Sequence, residues 1–362
     1  RFFTGYYNLP DDSASSIAVS GNYIYAEDFW ARLYIFNVSD LSTPTLTADF
    51  SYAGDVYDIA VSGNYLYSTN EGGGLGIMNI SNPATPTWSG QFTETDFYAG
   101  NGLAVSGSYA YVIDTGTNDY LYIINISNAA VPTRASRWAP VGGDNLNNVA
   151  VSGNYAYVTL PDASEHLHVI NIANAASPTR VGSYFGGTQW GPITVSGNYA
   201  YIVSTYQNEL TILNISNAAV PTLVSTAVTE SVTYSPAISG SYVYVPDGTE
   251  GLRIFNVSNA ASPTQVALLD TLWASDVCVF GAYAYLSDGA AIQVINISDP
   301  ANPRPIFPVS SAVTQVTILD TESTAEFWYY DDLVGTWTVS AAATDRATGT
   351  DSIQVTAAAA SV

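Results

Sequence analysis

One short phrase recurs seven times along the chain and leaves it few ways to fold. Ser-Gly-Asn/Ser-Tyr has its glycine at Gly21, Gly63, Gly107, Gly153, Gly197 and Gly240, and a weaker copy, Phe-Gly-Ala-Tyr, has Gly281. Successive glycines lie 41 to 46 residues apart (Gly240 to Gly281, Gly107 to Gly153). Each is followed by Tyr-x-Tyr: Tyr23/Tyr25, Tyr65/Tyr67, Tyr109/Tyr111, Tyr155/Tyr157, Tyr199/Tyr201, Tyr242/Tyr244 and Tyr283/Tyr285. A second anchor follows at Asn37, Asn79, Asn125, Asn171, Asn214, Asn256 and Asn296, each with a proline seven residues later, from Pro44 to Pro303. Two independent anchors in fixed order make seven the repeat count, and this period belongs to solenoids, propellers or arrays.

Inside a repeat the signals are those of strands. In residues 148–186, Val149-Ala150-Val151 stops at Ser152-Gly153, and Tyr155-Ala156-Tyr157-Val158 follows across turn residues. Leu167-His168-Val169-Ile170 is a third apolar run, and Arg180 to Phe185 a fourth. Short β-branched and aromatic runs between turns argue for all-β structure, with no competing helical period. Four strands per repeat predict a seven-bladed β-propeller of four-stranded blades. Residues i and i+2 share a strand face, so both rings of each Tyr-x-Tyr are expected to wedge against the next blade.

The segments Leu-His-Val-Ile-Asn-Ile-Ala-Asn-Ala-Ala-Ser-Pro-Thr (167–179) and Ile-Gln-Val-Ile-Asn-Ile-Ser-Asp-Pro-Ala-Asn-Pro (292–303) resemble the LVIVD repeat family. The resemblance spans about residues 12–305. It implies a similar propeller on a bacterial or archaeal surface, and it transfers no catalytic residues. The family usually carries Asp where this chain has Asn at the end of the third strand.

The two ends differ from the repeats. Arg1-Phe2-Phe3-Thr-Gly-Tyr6-Tyr7 resembles a fourth strand, yet repeat seven has its own candidate in Arg304-Pro-Ile-Phe-Pro. Eight candidates compete for seven places, and Pro305 and Pro308 make the C-terminal one a poor ladder partner. The N-terminal strand therefore either closes its own ring or completes a neighbouring subunit. From residue 313 the anchors stop. Residues 313–362, after a propeller over 1–312, resemble part of an Ig-like or PKD-like β-sandwich with Trp328 and Trp337 as core anchors. Four strands fall short of a full sandwich, so this module is expected either to pack on the propeller or to be completed by another chain.

Charge excludes some functions. The net charge is −23, from 31 acidic and 8 basic residues, and every basic residue is arginine. Such a surface lacks the basic footprint that nucleic acid and anionic membrane require, and it can gather cations. No apolar run approaches the roughly 18 residues of a membrane helix, and the chain opens on Arg1 as a mature secreted chain would. The one cysteine, Cys278, sits in an apolar strand pattern and reads as a small buried hydrophobe.

Candidate sites follow. Asn37, Asn79, Asn125, Asn214, Asn256 and Asn296 begin glycosylation sequons. Asn171 is followed by Ile-Ala and is not one, so the asparagine also has a turn-forming role. Asp114 to Asp119 has Asx spacing loosely like a calcium loop and reads better as a turn; Asp247-Gly248 and Asp288-Gly289 read as tight turns. His166 and His168, the only histidines, have no evident third ligand for zinc. Ser16, Asp58, Asn101, Asn148, Ser235 and Asp276 enter the innermost strands. They form no His, Lys or repeated carboxylate ring, so acid–base and covalent chemistry lack their usual parts. The expectation is a non-catalytic, extracellular structural protein of a prokaryotic cell surface, without metal or cofactor. It assembles head to tail with other copies of itself through Arg1, Phe2, Phe3, Tyr6, Tyr7, Phe327, Trp328 and Trp337. A monomeric surface adhesion or ligand-binding propeller is the alternative.

Overall fold

The computed structural model describes residues 6–306, apart from 10–13, 29–31, 42–43, 52–55, 71–73, 96, 98, 116–118, 141–144, 162–164, 187–189, 205–206, 232–233 and 290, and apart from the side chains of 6–8, 99–101 and 190. The chain divides into two units, residues 1–310 and 311–362. Phe327, Trp328 and Trp337 with the expected Ig-like module, and Arg1, Phe2 and Phe3, lie outside the described residues.

Each repeat folds as one antiparallel sheet, and there are seven sheets among the described residues. Blade 2 is typical, with strands Val56–Ser62, Tyr65–Asn70, Gly74–Asn79 and Thr87–Phe92 in sequence order. Ser62 pairs with Tyr65, so Gly63-Asn64 is a two-residue hairpin loop. The seven turn glycines have φ between 56° and 62°, and the residue after each has a negative φ. That is a type II′ turn, which requires glycine at its first central position. A Cβ on Gly153 would meet nothing within 4 Å, so its substitution costs backbone energy alone. Gly153→Ala is expected to cost about 1–2 kcal/mol and to lower the melting temperature by about 2–4 °C. A calorimetric scan with no shift would dismiss the turn requirement.

Packing between blades follows from the strand pattern. Second and third strands are buried on both faces, as in Tyr155–Thr159 and Leu167–Asn171. Seven apolar clusters fill the seven interfaces. Tyr25, 2% exposed, enters the cluster with Leu66, Met78 and Ile80 of blade 2, and half-buried Tyr23 lies against the same cluster. Tyr67, Tyr111, Tyr157, Tyr201 and Tyr244 each join the following blade in the same way, and Tyr285 of blade 7 joins blade 1. The tyrosine pairs are thus the mortar between blades. Cys278 is half-buried against the blade 7–blade 1 cluster.

Outer strands pair to the third strand through a bulge, as between Ile35 and Phe36 or Val169 and Ile170. There the outer strand approaches the next blade closely. A Cβ on Gly182 would sit 2.1 Å from the Ala218 carbonyl oxygen, and one on Gly90 2.3 Å from that of Ala129. Blades 3 and 5 have serine at this place, and Ser136 and Ser225 donate to the carbonyls of Ala175 and Ala260 at 2.5 Å.

The ring closes on both termini at once. Tyr6–Asn8 runs antiparallel to the third strand of blade 7, with Tyr6 opposite Gln293 and Asn8 opposite Ala291. Arg304–Ile306 pairs with the rest of that strand, Arg304 opposite Asn296 and Ile306 opposite Val294. The two short segments lie in tandem and share one outer-strand place. The competition expected from the sequence is settled by division, and the C-terminal candidate does pair. Pro305 is tolerated because it stands on an outer edge, where a missing N–H breaks no central ladder. Leu9, 5% exposed, then packs in the blade 7–blade 1 cluster.

Candidate functional site

Three blades bring polar groups together at the axis, because ring closure makes repeat seven the neighbour of repeat one. Asp276, Ser16 and Asp58 occupy the same register in the innermost strands of blades 7, 1 and 2, each at a bulge against the second strand. Each side chain reaches the backbone of the next blade. Asp276 Oδ2 accepts the Ile17 N–H at 2.9 Å, and Asp58 Oδ2 accepts the Leu103 N–H at 2.8 Å. Ser16 Oγ lies between them and takes the Ile59 N–H at 3.4 Å. Its hydroxyl is 3.2 Å from Asp276 Oδ2 and 3.4 Å from Asp58 Oδ1. A hydroxyl carries one proton, so it can donate to only one of the two carboxyls.

Both acids are held above their ordinary range. Burial, the nearby Asp276 charge second, pushes Asp58 up to about 8 against three hydrogen bonds that lower it. Burial likewise pushes Asp276 up to about 7. Asp276 is 8% exposed, while Asp58 keeps a partial opening to the axis. The trio is a proton-retaining clamp across three blades. Gly102 stands in the equivalent register of blade 3, one residue past Asn101, whose side chain lies outside the described residues. Gly102 packs directly on Asn148 of blade 4: a Cβ would lie 2.9 Å from its Cα. Two of the axial residues named from the sequence, Asp58 and Asp276, are thus brought to one serine, a grouping of adjacent blades that the sequence did not reveal. The signal was their common place five residues before the turn glycine, combined with ring adjacency.

A second set of polar groups fills a slot between each blade and the one before it. The slot is made by the residue three after the second tyrosine of each Tyr-x-Tyr and the residue three before the anchor asparagine. In blade 1 Asp28 accepts the Arg32 N–H at 2.9 Å and the Tyr34 hydroxyl at 3.2 Å. In blade 2 the third-strand residue is Gly76, and the Trp88 ring fills the space: a Cβ there would meet it at 2.8 Å. In blade 6 fully buried Asp247 accepts the N–H groups of Glu230 and Ser231 at 3.1 and 3.0 Å and the Nε of Arg253. Arg253 also donates to Gln265 at 2.9 Å and pairs with Glu230 at 3.2 Å. Blade 4 puts fully buried His168 in the slot, bonded to Glu165 at 2.7 Å, with the Trp138 ring edge-on at 5.5 Å. Glu165 also takes Arg180 and Ser183, and these partners hold its carboxyl below its ordinary value despite burial. Sequence reading missed this slot, taking Asp247-Gly248 and Asp288-Gly289 only as turns. Those turns do form, with Gly248 and Gly289 at φ 51° and 60°.

The remaining predicted residues fall as follows. All seven anchor asparagines accept, through Oδ1, the N–H two residues on at 2.9 to 3.0 Å. Asn171 does so with Ala173 where the others use serine. The bond leaves Nδ2, the atom a glycan would occupy, out of the turn. His166 is half-buried and near the Gly186 N–H at 3.5 Å, so the two histidines serve separate contacts. Among the described residues no three His, Cys, Asp or Glu side chains are grouped to hold a metal. Residues 116–118 of the loop after Asp114 lie outside the described residues.

The LVIVD repeat model matches residues 12–51, 53–94, 99–139, 143–185, 190–229, 233–271 and 273–309, one segment per blade. The chain belongs to the LVIVD repeat family. No curated protein matches it. Among solved structures, a functionally unknown protein from Desulfotomaculum acetoxidans DSM 771 superposes with TM-score 0.66 at 16% identity, covering 80% of this chain and 96% of that one. A candidate 6-phosphogluconolactonase from Bacteroides fragilis NCTC 9343 gives 0.65 at 14%, covering 83% and 94%. The U3-55K structure gives 0.67 at 11%, covering 81% and 98%. At these identities the likeness is one of fold. The chain itself carries seven LVIVD repeats and folds as a seven-bladed propeller of four-stranded blades.

Proposed function

We propose that this LVIVD-repeat propeller is a non-catalytic structural protein of a prokaryotic cell surface, and that copies join head to tail by exchanging the closing strand. The divided outer strand of blade 7 carries the reading. Tyr6–Asn8 contributes only three paired residues, and no covalent bond ties it to Arg304–Ile306, which lies next to it in the same outer-strand place. Leaving its own blade and entering that of a second copy trades each pairing for an identical one, which is the low-cost route of strand exchange. A head-to-tail exchange that does not close on itself gives a filament. The polar groups at the axis support a scaffold role, since both carboxyls are spent on hydrogen bonds from blade to blade. The six sequons on exposed turns and the acidic composition suit an extracellular, glycan-bearing surface.

A disulfide lock tests this. Asn8→Cys with Ala291→Cys joins the closing strand to its own blade, after Cys278→Ser removes the native thiol. Concentrated wild-type protein is expected to form linear assemblies in negative-stain images, and the oxidised lock to stay monomeric until reduced. Wild type that remains monomeric at millimolar concentration, or locked protein that assembles equally well, would reject exchange. The monomeric ligand-binding reading draws on one observation: Trp273, 45% exposed, leans on Tyr234 with ring centroids 6.4 Å apart at a loop leading into blade 7. Persistent monomers that retain a soluble glycan on a Trp273-dependent basis would favour it.

A further inference from the structure

The blade 7 slot differs from those of its neighbours. Asp288 is fully buried, and its Oδ1 accepts the Trp273 N–H at 2.5 Å while Oδ2 has no hydrogen-bond partner. Gln293, 3% exposed, has an unpartnered Oε1, and Thr271, 4% exposed, an unpartnered Oγ1. Strand register puts the first two of these side chains on one face. Gln293 pairs with Leu286 and so shares its face, and Asp288 is on that face two residues further along. Leu286 packs with Tyr244, Leu252 and Ile254, so the face looks onto blade 6. Thr271 lies on the link between those two blades, two residues before Trp273, whose N–H Asp288 holds.

In the neighbouring blades 1 and 6 the same slot supplies its own donor. Tyr34 gives Asp28 a hydroxyl proton, and Arg253 gives Asp247 a full positive charge. In blade 7 the third-strand residue is an amide that presents an oxygen. A buried carboxylate without a counter-charge is costly, and a buried acceptor without a donor adds to the cost. We infer that the slot between blades 6 and 7 binds a monovalent cation of the sodium class, held by Asp288 Oδ2, Gln293 Oε1 and Thr271 Oγ1. Three oxygens of one carboxylate, one amide and one hydroxyl are hard ligands suited to such an ion. One carboxylate balances one positive charge, the charge Arg253 provides in blade 6. A calcium ion would leave a net positive charge buried and wants six to eight oxygens. The acidic surface raises the local cation concentration. This site is independent of strand exchange, since it lies within one ring.

The full chain is melted in sodium chloride and in choline chloride at equal ionic strength, which cancels the general screening of the acidic surface. Wild type is expected to melt about 3–6 °C higher in sodium. Gln293→Arg, which copies the blade 6 residue into the slot, is expected to fold and to melt alike in both salts. Asp288→Asn keeps an acceptor for Trp273 and adds a donor facing Gln293, and it too is expected to lose the difference. A wild type indifferent to the exchange of salts overturns the inference, the slot then holding water or a protonated carboxyl. A sodium effect that survives in either variant overturns it as well, because the ion then acts elsewhere.

Discussion

Arg253→Met is expected to unfold about 6–10 °C below the wild type, a loss of about 3–5 kcal/mol, because it leaves a buried carboxylate without its counter-charge. Asp247 is fully exposed to no solvent, and Arg253 is 2% exposed, so water cannot replace the guanidinium. Two backbone N–H groups would still reach Asp247, but they carry no net charge. Methionine keeps much of the arginine stem's packing, so the loss reports the charge rather than a cavity. The double variant Asp247→Asn, Arg253→Met removes both charges while the asparagine still accepts the Glu230 and Ser231 amides. It is expected to recover most of the loss, to within about 1–2 kcal/mol of wild type, since pairs replaced together cost far less than pairs broken. A single variant that costs less than about 1 kcal/mol in denaturant titration would show that the pair is not a buried ion pair of this kind.

The axial clamp sets a pH dependence. Asp58 and Asp276 bind their protons more tightly in the folded ring than in the unfolded chain, where the ordinary value is 3.8. Their stabilising contribution is full below about 4 and is lost as the pH rises through about 7 to 8. The ring is thus expected to melt highest in mild acid. Asp58→Asn keeps an oxygen for the Leu103 N–H and offers a permanent donor toward Ser16, so it mimics the protonated state at every pH. At pH 5 it is expected to match wild type, and at pH 9 to exceed it by about 2–3 kcal/mol. That figure is discounted from the full linkage value for the partial opening of Asp58 to the axis. Parallel melting curves for the two proteins across that range would sink the clamp.

What the sequence made legible was whatever each repeat repeats. The turn glycines, the Tyr-x-Tyr wedges and the anchor asparagines act within one blade or between consecutive ones, so a single copy carries their physics. Asn171 even separated the turn role from the sequon, and its bond to Ala173 bears that out. The clamp was illegible for the opposite reason. Asp276 and Asp58 are separated by most of the chain, and Ser16 meets both only once the ring has closed. The slots hid because their occupants change chemistry from blade to blade, from Tyr34 to Gly76 to His168 to Arg253 to Gln293. A pattern search rewards sameness, whereas these positions conserve only a volume to fill. The bulged outer strand hid likewise: whether Gly182 or Ser136 suits it depends on a carbonyl of the next blade. The closing strand was half read. Its address in blade 7 was among the expected outcomes, but its sharing with Arg304–Ile306 was not, because proline weighed against the C-terminal segment.

Ile306 stands opposite Val294 and Tyr6 opposite Gln293, at successive places along one outer strand. The polypeptide therefore enters and leaves the ring at the same point, and the ring itself has no obligatory first blade. Joining residue 306 to residue 6 and cutting the chain in the outer strand of any other blade yields a circular permutant with every blade contact intact. Such permutants also move the last pairing to be made. In the natural order that pairing must wait for blade 7, and it pays the loop-closure entropy of nearly the whole ring.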